Sequence, residues 1–147
     1  MENEIEILNT KKFNVTAVGL TAIAEKITEN DIMTGFEFFG KIKDKAMVYI
    51  GDLAVIAEQK GFIKNGQESK FYEKVAERTG LKKKSIREAK LVMKNINLSN
   101  RLDRCGIRHY QLVYQLPSGQ QKEILHRCIK ENWSTKKLKN EVFKLKP

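Results

Sequence analysis

The residues with the clearest chemical potential lie close together. Lys82, Lys83, Lys84, Ser85, Arg87, Glu88, Lys90 and Lys94 fall within AERTGLKKKSIREAKL and just beyond it. A helix N-terminus carries partial positive charge and favours acids. Three lysines where a helix should begin therefore cost the fold a little, and a polyanion would offset that cost. Arg87 can give two parallel hydrogen bonds to a guanine edge, and Glu88 can accept from cytosine N4 or orient Arg87. Lys94 suits phosphate, while Ser85 and Lys90 lie along the same exposed face. The chemistry is non-covalent recognition of nucleic acid. A solvated side chain is the competing reading of each lysine.

Two short helices and a tight turn must position these groups. Val75 and Ala76 fall on the inner side of the first helix, with Ala76 small enough for a close crossing. Gly80 follows four residues later, where a sharp turn makes positive φ useful. Leu81 fills the space between the helices, and Ile86 and Ala89 face inward from the second. This is the spacing of a DNA-binding helix-turn-helix, whose second helix enters the major groove. Ordinary helical hairpins share the pattern at times.

The charge distribution points the same way. The chain has 147 residues and a formal net charge of +10. Residues 1–81 carry 11 Lys/Arg and 13 Asp/Glu, whereas residues 82–147 carry 17 and 5. The basic excess thus begins at the three lysines, and a one-sided excess suggests a polyanionic partner. No apolar run approaches the roughly 20 residues that span a bilayer, and MENEIEILN lacks the order of a secretory signal. Cys105 and Cys128 are too few for a disulfide framework and are expected to be packed, reduced thiols. With His109 and His126 they make a poor zinc set, because His126 and Cys128 point to different sides of a helix. His109 reads as a hydrogen-bonded core histidine. No catalytic set or glycine-rich phosphate loop stands out, so neither an enzyme nor a cofactor is expected. A cytoplasmic, nucleoid- or plasmid-associated protein is the expectation.

Along the chain, EIEIL (4–8) and FNVTAV (13–18) suggest a hairpin around NTKK. Thr21 is a plausible N-cap for a helix over 22–29. A long amphipathic helix is expected from about Asp31 to Gln59, with Asp52 and Glu58 as surface charges. Further helices are predicted at about 68–78, 83–96, 100–104, 107–115, 119–131 and 135–145. Ser118 and Gln121 form a candidate capping box, and Ser134 a candidate cap beside a Trp133–Leu138 staple. The expected fold is all-α, a multi-helix bundle containing a helix-turn-helix, with a short N-terminal β-hairpin possible. Residues 1–62 are expected to form a helical, dimerisation region and 63–147 a helix-turn-helix DNA-binding region. Phe36, Phe38, Phe39 and Tyr49 exceed what one helix face needs, which means burial on both sides or a homodimer surface.

Two segments resemble the central DNA-binding domain of the ParB/KorB family of partition proteins: VAERTGLKKKSIREAKLVMKNI (75–96) and GIRHYQLVYQLPSGQQKEILHRCIKENWSTKKLKNEV (106–142). In the second, Gly106, His109, Gln120 or Gln121, Trp133, Ser134 and Leu138 stand at the matching places. Together the segments cover about half the chain. Full-length family members carry an N-terminal nucleotide-binding domain with an arginine-rich phosphate motif. No counterpart is found here, so a CTP-driven clamp is not expected. The family turn also carries a small hydroxyl residue near the second helix start, where this chain has lysines. GLTAIAEKI and IGDLAVIAE are similar to the leading part of small plasmid and phage proteins.

After the turn come Arg101, Arg104, Arg108, Arg127, Lys130, Lys136, Lys137 and Lys139. The resemblance implies that the later helices support the recognition helix and touch phosphates, with Arg104, Arg108, Lys136 and Lys137 among the clamps. Solvated helix faces are the alternative. The functional expectation is a sequence-preferring binder of double-stranded DNA in a plasmid, phage or mobile element. Its role would be repression, replication control or partition. An RNA-binding module and an adaptor for an acidic protein are the competing classes.

Overall fold

In FNV and LTA, alternating side chains leave one face to bury. The structure, a computed structural model, describes residues 12–40 and 46–145. Phe13–Val15 (β1) pairs antiparallel with Leu20–Ala22 (β2), Phe13 opposite Ala22 and Val15 opposite Leu20. Phe13 and Leu20 are buried. The pairing thus uses the second of the two predicted strands; EIEIL lies outside the described residues.

The helix expected over 22–29 does not form, because Thr21 is committed to β2 opposite Asn14. The true start is Glu29–Gly40 (α1). Thr28 Oγ1 accepts the Asp31 N–H at 3.1 Å, and Asp31 accepts the Thr28 N–H at 2.9 Å. This reciprocal cap satisfies two donors that the helix leaves open. The Thr28 N–H holds the Asp31 carboxyl below its ordinary value.

The single helix expected from 31 to 59 is two helices, α1 and Ala46–Gln59 (α2). A Cβ added at Gly35 would lie 3.1 Å from a Leu53 methyl. In one continuous helix those positions would be about 27 Å apart, so the chain folds back on itself. Phe36 and Phe39 are buried by this hairpin. Phe39 stacks on Tyr49 with centroids 4.8 Å apart, and Phe36 meets Phe71 edge-on at 6.2 Å. The Tyr49 hydroxyl donates to the Thr16 carbonyl at 2.7 Å. Phe36, Phe39 and Tyr49 thus make ring contacts within the chain, and the side chain of Phe38 lies outside the described residues.

Glu68–Thr79 (α3), Lys83–Lys94 (α4), Ile107–Val113 (α5), Ser118–Lys130 (α6) and Thr135–Leu145 (α7) complete the order. The body is all-α, with a two-stranded hairpin at its N-terminal end. Instead of the helix predicted at 100–104, a single 3₁₀ turn occupies Leu98–Asn100. Asn100 and Arg101 are pulled inward there by buried hydrogen bonds.

Two apolar clusters fill the interior. One joins the hairpin, α1, α2, α3 and Ile86 of α4. The other joins Val48 of α2, Val92 and Met93 of α4, and α5, α6 and α7. Helices α2 and α4 therefore serve both. They cross closely at Gly51 and Ala89, where a Cβ on Gly51 would lie 2.5 Å from the Ala89 carbonyl oxygen. The sequence suggests Ala76 for the close crossing, but Ala76 is only half-buried and the crossing partner of α4 is α2.

Asp52, expected on the surface, is buried. Its Oδ2 accepts from Arg101 at 2.8 Å and from the Leu20 N–H at 3.0 Å. Arg101 also donates to the Met93, Ile96 and Val18 carbonyls. Burial raises the Asp52 carboxyl, while Arg101 and the Leu20 N–H pull the other way. The Ser118–Gln121 capping box is also absent. Gln121 is buried and donates to the Asn95, Tyr114 and Leu116 carbonyls, while Ser118 accepts from Asn100 at 2.9 Å. Ser134 does cap α7, accepting the Lys137 N–H at 3.1 Å, and Trp133 and Leu138 share the second cluster.

Candidate nucleic-acid interface

The turn between α3 and α4 follows from three residues. Gly80 takes φ +77°, and its N–H reaches the Ala76 carbonyl at 2.8 Å. Thr79 Oγ1 donates to the Val75 carbonyl at 2.8 Å and accepts the Leu81 N–H at 3.1 Å. Leu81 then packs against the first cluster. Lys82 is extended and starts α4 without a side-chain cap, and no acid lies in the first turn. The first turn of α4 thus leaves its backbone donors free of side-chain acceptors.

Ile86, Ala89, Val92 and Met93 bury one side of α4. The other side presents Lys84, Arg87, Glu88, Leu91 and Lys94, all exposed and spaced along one stripe. Arg87 lies over the Tyr72 ring, 5.3 Å from its centroid. That contact limits the rotamers the guanidinium samples. Lys82, Lys84 and Glu88 make no ion pair among the described residues.

The other lysines turn to the fold's own acids. Lys83 pairs with Glu73 at 3.2 Å and reaches Ser69, which offsets part of the cost of a lysine at this helix start. Lys90 and Lys94 both pair with Glu58. Hydrogen bonds from Lys90, then Lys94, hold the Glu58 carboxyl below its ordinary value. Glu58 is therefore a bridge from α2 to α4 rather than a free surface charge. Ser85 is half-buried on the flank.

Among the later basic residues, Arg108 and Lys136 are brought together. With Gln111, Thr135 and Lys139 they line a groove of about 310 Å³ between α5 and α7, with no acid on its walls. Arg104 is exposed in the turn before α5 and does not line that groove. Lys137 is drawn to Glu141 at 3.0 Å and to the Trp133 ring. Arg127 covers Trp133 as well, 5.0 Å from the ring centroid. Arg101 serves the buried pair described above.

His109 Nδ1 accepts the Gly106 N–H at 3.1 Å, and burial lowers its imidazole. Cys105 and Cys128 are buried and are not joined in a disulfide, and burial pushes the Cys128 thiol up. Among the described residues, no helix is long and apolar enough to cross a membrane.

Sequence reasoning passes over Leu91 and Tyr72 as partners of the exposed stripe, and over Lys139 as a wall of the groove. Leu91 was visible as an apolar residue seven positions after Lys84, on the face otherwise lined by charge. Lys139 lay three residues beyond Lys136. Tyr72 carried no such signal, because its place beside Arg87 depends on the turn. No family model matches the chain, and neither a curated protein nor a solved structure does so.

Proposed function

We propose that the protein binds double-stranded DNA, with α4 entering the major groove. The observation that carries this reading is the exposed stripe of α4. It combines a cation for phosphate (Lys84), a fork held over an aromatic ring (Arg87) and an apolar side chain (Leu91) behind a helix start without acids. Arg87 suits guanine O6 and N7, and Leu91, half exposed, suits the thymine methyl. The resemblance of residues 75–96 and 106–142 to the ParB/KorB central domain supports the same reading. The role is occupancy of a site in plasmid, phage or mobile-element DNA, as a repressor, replication-control factor or partition factor. Two copies on an inverted repeat would double the contact.

The test is to incubate purified protein with sheared source DNA at about 150 mM salt, where non-specific contacts weaken, and to sequence what stays bound. An enriched motif lost in Arg87→Ala supports the reading, and an inverted repeat reports two copies. No recovery of DNA overturns it.

A further inference from the structure

We propose that the groove between α5 and α7 is a second nucleic-acid site, built for a single strand rather than a duplex. Its walls carry Arg108, Lys136 and Lys139, three cations with no acid among the lining groups. None of the three makes an ion pair among the described residues, unlike Lys83, Lys90, Lys94 and Lys137. Other lysines, Lys82 and Lys84 among them, are also without a carboxylate among the described residues; what sets these three cations apart is that they line one concave surface of a single sign. That is the electrostatic complement of a phosphate chain.

The second observation is Phe143, which is 78% exposed, the most of any large apolar side chain described. Helix α7 buries Leu138 and Val142. Lys136, Lys139 and Phe143 follow at i, i+3 and i+7, so they share one stripe on its outer side. Phe143 then stands about 10 Å along the axis from Lys136, at the end of the cationic wall. A lone exposed aromatic is ordinary. An aromatic continuing a stripe of unpaired cations has the two elements that hold an unpaired strand. These are charge along the backbone and a ring on which a base stacks. A duplex keeps its bases inside and cannot use that ring. The stacking is indifferent to the sugar, so a DNA or an RNA strand satisfies the same chemistry. This site stands apart from the α4 stripe in both residues and ligand.

The experiment uses the full chain and oligo-dT and oligo-rU strands of roughly 12 nucleotides, within the range such grooves hold. Each carries one 2-aminopurine whose fluorescence falls on stacking. Binding with quenching is expected, and Phe143→Ala should lose the quenching and weaken binding about tenfold. Phe143→Trp should retain both. Lys136→Ala with Lys139→Ala should flatten the salt dependence of strand binding. All three side chains are exposed, and a thermal melt of each variant confirms that it folds. The Lys84→Ala, Arg87→Ala variant should bind the strand as the parent does, whatever it does to duplex. The relative affinity for dT and rU names the preferred sugar. Undiminished strand binding by Phe143→Ala overturns the proposal, as does strand binding that disappears with the α4 variant. Failure to bind either strand while anionic phosphatidylserine vesicles are bound also overturns it.

Discussion

The Asp52 carboxylate accepts a 2.8 Å hydrogen bond from Arg101 across 49 residues of chain. Both side chains are under one tenth exposed. The pair ties α2 to the segment after α4, and the Leu20 N–H and the Val18 carbonyl bring the hairpin into the same knot. Removing one partner leaves the other charge buried and uncompensated, which costs about 3–5 kcal/mol. Asp52→Ala and Arg101→Ala should each lower the unfolding free energy by that order, read from denaturant titrations. Replacing both with Leu and Met should recover much of the loss. A double variant no more stable than either single one would show that the pair is not the source of the effect.

The crossing of α2 and α4 gives a second expectation. Any side chain at Gly51 meets backbone at Ala89, which has no flexible end to move aside. Gly51→Ala should cost about 1–3 kcal/mol through overpacking, despite the gain in helix propensity. A melt showing Gly51→Ala at least as stable as the parent would mean that α2 and α4 separate without penalty.

The adjacent lysines should behave differently. Lys84→Ala should reduce the slope of log affinity for duplex DNA against log salt by about 0.9, one phosphate contact. Lys83→Ala removes an exposed pair with Glu73 and should cost less than about 1 kcal/mol of stability, with the slope unchanged. Salt titrations of the two variants side by side check this. A Lys84→Ala slope equal to the parent's would place Lys84, like Lys83, outside the contact.

His109 sets a pH dependence. Burial holds its imidazole below the ordinary 6.5, and Nδ1 is engaged as an acceptor. The folded chain therefore takes up the proton less readily than the unfolded chain. The contribution of neutral His109 is complete above pH 6.5 and is lost as pH falls from there through the lower folded value. Denaturation midpoints at about pH 7.5 and about pH 5.5 should show the decline. His109→Asn, which can accept the Gly106 N–H without titrating, should show a shallower one.

Local chemistry was legible in the sequence, and long-range chemistry was not. Gly80 and Ser134 act through residues within four positions of themselves, and both do what their types suggest. Apart from the one expected at 100–104, the helices from 68 onward also fall close to their predicted bounds, because each buries a face written at helical spacing. Periodicity carries no information about direction, so α1 and α2 read as one helix although the chain turns back between them. The Thr28–Asp31 cap was present as T-E-N-D but stood behind the competing start at Thr21. Asp52 was conspicuous only as a lone carboxylate in IGDLAVIA, and nothing local named Arg101 as its partner. Gln121 was read for its reach to a neighbouring turn, whereas its amide closes three carbonyls. At the α4 stripe the sequence supplied the charges. It could not say which lysines the protein's own acids would claim, because Glu58 and Glu73 arrive from other helices.

Helix α2 bears Val48 on one cluster and Ile50, Leu53 and Ala57 on the other, like a party wall between two rooms. Cutting the chain between residues 62 and 63 would take that wall from the C-terminal piece and leave the N-terminal piece without α3 and Ile86. Each fragment would lose part of the surface its interior packs against. Amide protons of α2 and α4 should therefore exchange together and last, through opening of the whole molecule. Anything that steadies α4 from outside, a bound polyanion included, should slow exchange in α2 on the far side of the Gly51–Ala89 crossing.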